Sequence, residues 1–283
     1  SYFQKAIQIK FNHAVTHYNL GTVFTEVGEF EKAINSYQMA IKYEPKNLAH
    51  FYYLSDLKKE ILDSNLKKNI YEIIKDSNCT KRNIAYGNFL LSRYELKDKN
   101  YKKEFNYLLE GHYNYFESQG KQFKKQVKYW LSVLPNIKKL ANLNNTNKRI
   151  KKNTTKMNPI FIIGVPRCGS TLVEKVIASG GKYIQVGEET EILNFFVKQE
   201  IQQKQLLKLN IENFEKKIIA KYEEKGLIQK RGDYTFTDKS LDNFFYINLI
   251  KRIFPNAKVI NCKRNPLSCV ISILKNNLTG LAW

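Results

Sequence analysis

The stretch Ile160-Phe161-Ile162-Ile163-Gly164-Val165-Pro166-Arg167-Cys168-Gly169-Ser170-Thr171 leaves this part of the chain few ways to fold. An apolar run of β-type residues ends at Gly164, four residues intervene, and Gly169-Ser170-Thr171 opens the helical pattern Leu172-Val173-Glu174-Lys175-Val176-Ile177. The spacing predicts strand, tight turn, helix. Glycines let backbone fold closely around an anion, and the unpaired N–H groups and dipole of a helix start supply positive potential there. A Walker A loop reads G-x-x-x-x-G-K-S/T, with its lysine on the β- and γ-phosphates and its hydroxyl on Mg²⁺. Here Ser170 takes the lysine's place, and the cation of the loop is Arg167, two residues before the second glycine. The loop is therefore expected to cradle an anion other than a nucleoside triphosphate.

At 283 residues the chain has room for two domains of ordinary size. Its 43% hydrophobic content is globular, and no segment approaches the roughly 18 apolar residues of a membrane span. A formal charge of +21 raises the question of nucleic acid. The lysines are spread over both halves among Asn, Ile and Tyr, with no compact basic stripe and no RNA-binding signature, so nucleic acid is not expected as the main partner. Cys79, Cys168, Cys262 and Cys269 form no C-x-x-C pair and follow no secretory leader. They read as thiols of a reducing cytoplasm. Because the chain starts at Ser1 inside one helical pattern and stops at Trp283 just after another, both ends read as cut.

In a frame of about 34 residues beginning at Ala14, the positions a tetratricopeptide repeat (TPR) needs fall on His17, Leu20, Gly21, Phe24, Ala33, Tyr37, Ala40 and Pro45. All but His17 match, and the block resembles that family. One period earlier, Phe3 and Ala6 stand where Tyr37 and Ala40 do; after Pro45 the frame loosens, with Phe51, Leu54 and Tyr71 still in register. Leu91, Tyr94, Tyr101, Phe105 and Leu108 continue the helical spacing without the small residues. Residues 1–143 are thus expected to be stacked helix pairs whose aromatic stripe is core. His13, His17, His50 and His112 lie here at no metal-ligand spacing and read as structural. The Asn-, Thr- and Lys-rich residues 144–156 read as a solvated linker.

Beyond the loop, Gly187-Glu188-Glu189-Thr190-Glu191 precedes a helical stretch from Ile192. Tyr234 to Ser240 reads as a strand ending in a charged turn, followed by a helix over 243–254; Asp238 beside Lys239 reads as a structural ion pair. Ala257 to Cys262 is a further strand, Lys263-Arg264-Asn265-Pro266 a turn, and 267–278 a helix containing Ser272. Alternation of this kind argues a parallel sheet with ligands at the carboxyl ends of its strands.

Residues 157–283 resemble sulfotransferases that use 3′-phosphoadenosine-5′-phosphosulfate (PAPS). Pro166 to Thr171 is similar to that family's 5′-phosphosulfate loop, and Arg264 with Ser272, eight residues apart, to its 3′-phosphate motif. Gly-Val-Pro-Arg and Gly187-Glu188-Glu189-Thr190 look most like tyrosylprotein sulfotransferases, and the succession of domains resembles TPR sulfotransferases of bacteria. The resemblance implies an α plus α/β chain, with helical repeats followed by a P-loop-type parallel-sheet domain whose later strands would lie beyond Trp283. It implies PAPS as co-substrate without a metal, with Arg167, Cys168, Gly169, Ser170, Thr171, Arg264 and Ser272 binding it. Arg167 and Lys239 would stabilise transferring charge and Glu189 would be the base, with Glu188 the neighbouring alternative; no histidine follows His112.

Cys168 and Ser170 replace the commoner Ser and Thr, and Cys168 beside cations is expected to gain thiolate character. Glu191 stands where the tyrosylprotein enzymes carry a substrate-facing Arg, which argues against an acidic peptide acceptor. The implied acceptor is a peptide tyrosine, sugar or lipid hydroxyl, with a protein partner bound through the repeats. Two other readings remain open: a P-loop kinase or NTPase, disfavoured because no Lys follows Gly169, and a repeat scaffold with a non-catalytic nucleotide domain.

Overall fold

A computed structural model describes residues 13–142, 158–180, 184–202, 211–228 and 235–276. Phe3, Ala6, Tyr234, the expected linker 144–156 and the end of the last expected helix, 277–278, lie outside the described residues. The chain divides into two compact units, with the boundary between Lys124 and Lys125.

The first unit is helical: α1 (Ala14–Glu26), α2 (Phe30–Tyr43), α3 (Leu48–Leu57), a 3₁₀ turn (Lys59–Ile61), α4 (Ser64–Lys75), α5 (Lys81–Lys97) and the start of α6 (Tyr101–Asn142). Ala33, Ala40 and Tyr37 are buried where α1 meets α2, as the repeat frame requires. Later helix starts are set by side-chain caps: Asn47, Asp63 and Thr80 accept from the N–H groups of Ala49, Leu66 and Asn83 at 3.2, 2.7 and 3.2 Å. The expected lack of small residues in the later helices does not hold. A methyl on Gly87 would meet Ile74 at 2.5 Å and one on Gly111 would meet Phe89 at 2.5 Å, so these glycines provide the close approaches. The aromatic stripe is core at Tyr52, Tyr86, Phe89 and Tyr94 but not at Tyr101 and Phe105, which are 63% and 49% exposed. The histidines have structural surroundings: His17 stacks on Tyr43, His112 meets the Phe89 ring edge-on, and His50 is buried against Glu44.

In the second unit, β1 (Ile160–Gly164), β2 (Ile184–Gln185), β3 (Thr235–Asp238) and β4 (Lys258–Cys262) form a sheet in the order β2-β3-β1-β4. All pairs are parallel, with Phe161 opposite Asp238 and Gly164 opposite Cys262. Between them run α7 (Ser170–Ala178), α8 (Ile192–Gln202), α9 (Ile211–Glu224), a 3₁₀ turn (Leu241–Tyr246) with α10 (Ile247–Ile253), and α11 (Pro266–Lys275). The helix expected over 243–254 is therefore 3₁₀ for its first part. Alternation along β1 sends Phe161 into a cluster with Phe214, Ile218, Tyr222 and Phe254 on one face. Ile162 joins Cys168, Cys262 and Cys269 on the other. With both faces covered, function is left to the carboxyl ends of the strands.

Candidate functional site

At the end of β1 the chain turns through Val165 to Gly169 into α7. The Cys168 N–H closes the turn on the Val165 carbonyl at 3.1 Å. Arg167 and Gly169 both have positive φ, 67° and 99°; glycine takes this conformation freely, whereas Arg167 is held in it by its neighbours. The first helical bond of α7 runs from the Val173 N–H to the Gly169 carbonyl, so the N–H groups of Ser170, Thr171 and Leu172 have no helical acceptor. They form the positive end of the helix beside an exposed Arg167.

The second expected motif arrives at the same place. α11 starts at Pro266 with Asn265 as its cap, the Asn265 side chain accepting from the Ser268 N–H at 3.2 Å. This sets Ser272 on the helix and Arg264 just before it. Arg167 donates from Nε to the Ser272 hydroxyl at 3.0 Å, and Arg264 donates to the Arg167 carbonyl at 3.1 Å. Neither arginine has a carboxylate partner among the described residues. Two uncompensated guanidinium groups, hydroxyls and a helix start together suit a ligand with more than one anionic group. Cys168 differs in placement: its side chain is buried with Cys262 and Cys269, and the Cys262 thiol is pushed up by burial and by Cys168 beside it.

The acidic loop crosses the end of β3. A methyl on Gly187 would lie 2.1 Å from the Thr237 carbonyl, so only glycine fits this crossing. Beyond it, the Lys239 N–H donates to the Glu188 carbonyl at 2.8 Å. This brings the Lys239 ammonium 3.8 Å from Glu189 Oε1, with Lys239 buried and the Glu189 side chain half exposed. Glu188 and Glu191 both have positive φ, 53° and 56°. The structure thus brings Arg167, Arg264 and Ser272 into direct contact, and separately pairs Lys239 with Glu189.

Asp238 does not form the expected ion pair with Lys239. It is fully buried and accepts from the hydroxyls of Thr190, Tyr222 and Ser240, the Ser240 N–H and the Asn243 amide. Five neutral donors satisfy the carboxylate without a cation. Burial and the Asp238 carboxylate push the Tyr222 phenol well up, keeping it a donor. Asp242 is held by the Asn194 amide. Burial raises its pKa to about 6, opposed by Lys198 and reinforced by Glu191 and Glu189.

Sequence reasoning missed Glu174, taken only as part of a helical pattern. It is 1% exposed and its Oε2 lies 3.9 Å from the Lys239 ammonium. The one available signal was a carboxylate one turn into the helix of an anion-binding loop.

Residues 159–282 match the family model described as Sulfotransferase family, and residues 14–47 match Tetratricopeptide repeat. Over 275 residues, 91% of the chain, the sequence is 26% identical to an uncharacterized protein of Aquifex aeolicus (strain VF5). The chain spans 34% of the length of that relative.

Proposed function

On the premise that the chain carries a sulfotransferase-family domain behind a tetratricopeptide repeat, we propose that it is a PAPS-dependent sulfotransferase acting on an acceptor hydroxyl. The proposed division is repeats over 1–143, linker over 144–156 and transferase domain over 157–283. The observation that carries the reading is the convergence of Arg167, Arg264 and Ser272 beside the open start of α7.

PAPS, when bound, supplies an activated sulfuryl group on a 5′-phosphate leaving group and a 3′-phosphate handle. The N–H groups and hydroxyls of Ser170 and Thr171 and the guanidinium of Arg167 would hold the 5′ end, with Gly169 and Cys168 shaping the turn. Arg264 and Ser272 would hold the 3′-phosphate, Ser272 exchanging its bond from Arg167 for one to the ligand. Lys239 would oppose charge building on the transferring group. Glu189, half exposed and with its Oε1 3.8 Å from the Lys239 ammonium, would take the proton from the attacking hydroxyl beside the proposed charge stabiliser. Glu188 instead serves the loop through its backbone, donating to Glu174 and accepting from Lys239.

No helix among the described residues is long and apolar enough to cross a membrane. We place the protein in the cytoplasm, where its four free thiols would stay reduced. The repeats would engage a protein partner or present a peptide or glycan acceptor. A cavity of about 990 Å³ in the first unit, lined by Tyr18, Glu44, His50, Arg82 and Tyr86 among others, would offer a surface for this. The test is transfer of label from ³⁵S-labelled PAPS by the full-length gene product into a cell lysate, with the product identified by mass spectrometry. A labelled sulfate ester of an acceptor hydroxyl supports the reading; release of inorganic sulfate alone, or no reaction, contradicts it.

A further inference from the structure

An ionised carboxylate taken out of water must be compensated by donors or a counter-charge. Glu174 is such a group, on α7 one turn past the loop and 1% exposed. Its Oε1 accepts from the Thr237 hydroxyl at 2.6 Å and from the Glu188 N–H at 3.1 Å, and its Oε2 faces the Lys239 ammonium at 3.9 Å. These partners come from the end of β3 and from the acidic loop. One carboxylate therefore ties the loop helix, the strand that leads into Lys239 and the residue next to Glu189 to each other.

The charges give this arrangement a consequence. Lys239 is one cation between two carboxylates, the buried Glu174 and the half-exposed Glu189, at 3.9 and 3.8 Å. Water screens the Glu189 side of the triad far more than the Glu174 side, so the buried carboxylate is the firmer anchor. With that anchor neutralised, Glu189 is the remaining counter-ion within reach, and the ammonium closes on it. Charge stabiliser and base would then be spent on each other.

We propose that Glu174 is a positioning residue that holds Lys239 away from full pairing with Glu189, keeping both groups available to the reacting atoms. The inference rests on the sulfotransferase reading and adds to it a residue that touches neither substrate.

The experiment measures apparent kcat and apparent KM for ³⁵S-labelled PAPS at fixed lysate acceptor, with affinity for 3′-phosphoadenosine-5′-phosphate (PAP) and thermal melts alongside. Glu174→Gln keeps an acceptor oxygen for Thr237 and Glu188 while removing the charge. Its kcat falls by at least about tenfold, with KM and PAP affinity within about twofold. In a Lys239→Met background the same change causes no further fall in kcat. An unchanged kcat, or an equal fall in both backgrounds, overturns the inference by showing no role or a purely structural one. If Glu174→Gln melts out and binds no PAP, Thr237→Val decides. It leaves the charge but removes the 2.6 Å donor to Glu174, together with the acceptor of the Gly187 N–H at 3.2 Å, so kcat falls several-fold in wild type and not in Lys239→Met; no difference between backgrounds overturns the inference. A wild-type protein that transfers no label overturns the sulfotransferase reading and this inference together, whereas an active wild type with a fully active Glu174→Gln overturns this inference alone.

Discussion

Arg167 donates from Nε to the hydroxyl of Ser272 at 3.0 Å, joining the turn after β1 to α11 across 105 positions of sequence. The turn was expected to hold a 5′-phosphosulfate and the helix a 3′-phosphate. Their direct contact makes the turn and the helix one structural unit, with the Arg264 bond to the Arg167 carbonyl closing it.

Arg264→Ala is expected to weaken PAP binding by about 1.5–3 kcal/mol, the usual contribution of a hydrogen bond to a charged group. An analogue without the 3′-phosphate should lose much less, its residual loss reporting the freed Arg167 carbonyl. Isothermal titration with both ligands checks this, and equal losses would remove Arg264 as the 3′-phosphate clamp.

Ser272→Ala takes away a partner of Arg167 as well as the ligand proposed for the 3′-phosphate. PAP affinity should fall by about 0.5–1.5 kcal/mol, as for one neutral hydrogen bond. An affinity equal to that of wild type in the same titration would show that Ser272 serves only to park Arg167.

Gly187→Ala places a methyl 2.1 Å from a backbone carbonyl that belongs to β3. Stability should fall by about 1–3 kcal/mol, the range for forcing atoms into packed space. Gly120→Ala, a helix position with nothing within 4 Å of the added carbon, should instead hold or raise stability. Urea midpoints decide, and a Gly187→Ala midpoint equal to wild type would contradict the crossing described for the acidic loop.

The parts of the site that were legible in sequence are those whose geometry is local. Gly164 to Thr171 specifies strand, turn and helix within a dozen residues, and Asn265-Pro266 specifies a helix start that carries Ser272 at a fixed offset from Arg264. What was not legible depends on distant chain. Glu174 looks like a solvent-facing residue until Glu188 and Thr237, 14 and 63 positions away, arrive to bury it. Asp238 looks like the partner of Lys239 because they adjoin, yet Lys239 lies past the strand while Asp238 ends β3 turned into a buried set of neutral donors. Its donors Thr190 and Tyr222 come from 48 and 16 positions away. In the first unit the repeat frame reads from Ala14 to Pro45, while Gly87 and Gly111 escape notice because their importance lies in Ile74 and Phe89 of neighbouring helices.

Asp242 gives the second unit a pH signature. Burial, with Glu191 and Glu189 adding and Lys198 opposing, lifts its pKa from 3.8 to about 6. Between those values the folded state holds a proton that the unfolded chain has released, so this group's contribution to stability falls as pH rises through the window. Asp242→Asn can still accept from Asn194 and has no proton to lose. Relative to wild type it should gain stability from about pH 4 to pH 6 and keep that gain at pH 7. A difference in urea midpoint that stays constant with pH would contradict this.

Glu189→Gln keeps shape and hydrogen bonding while removing basicity. Turnover of ³⁵S-labelled PAPS by the full-length gene product should fall by about 10²–10⁴-fold with PAP affinity retained, the effect of losing a general base. Glu188→Gln should be milder, because the role assigned to Glu188 lies in its backbone. Reversed effects would move the base to Glu188.

The loop of Arg167 and the pair Arg264 and Ser272 are proposed to form one site for a 3′,5′-substituted adenine nucleotide. Titration calorimetry with PAP in the presence of EDTA, beside a titration with Mg-ATP, tests it most directly. PAP is expected to bind without metal, and Mg-ATP far more weakly. Preferential binding of Mg-ATP would make the loop that of a kinase or NTPase, and binding of neither ligand would leave a repeat scaffold whose second unit does not bind nucleotide.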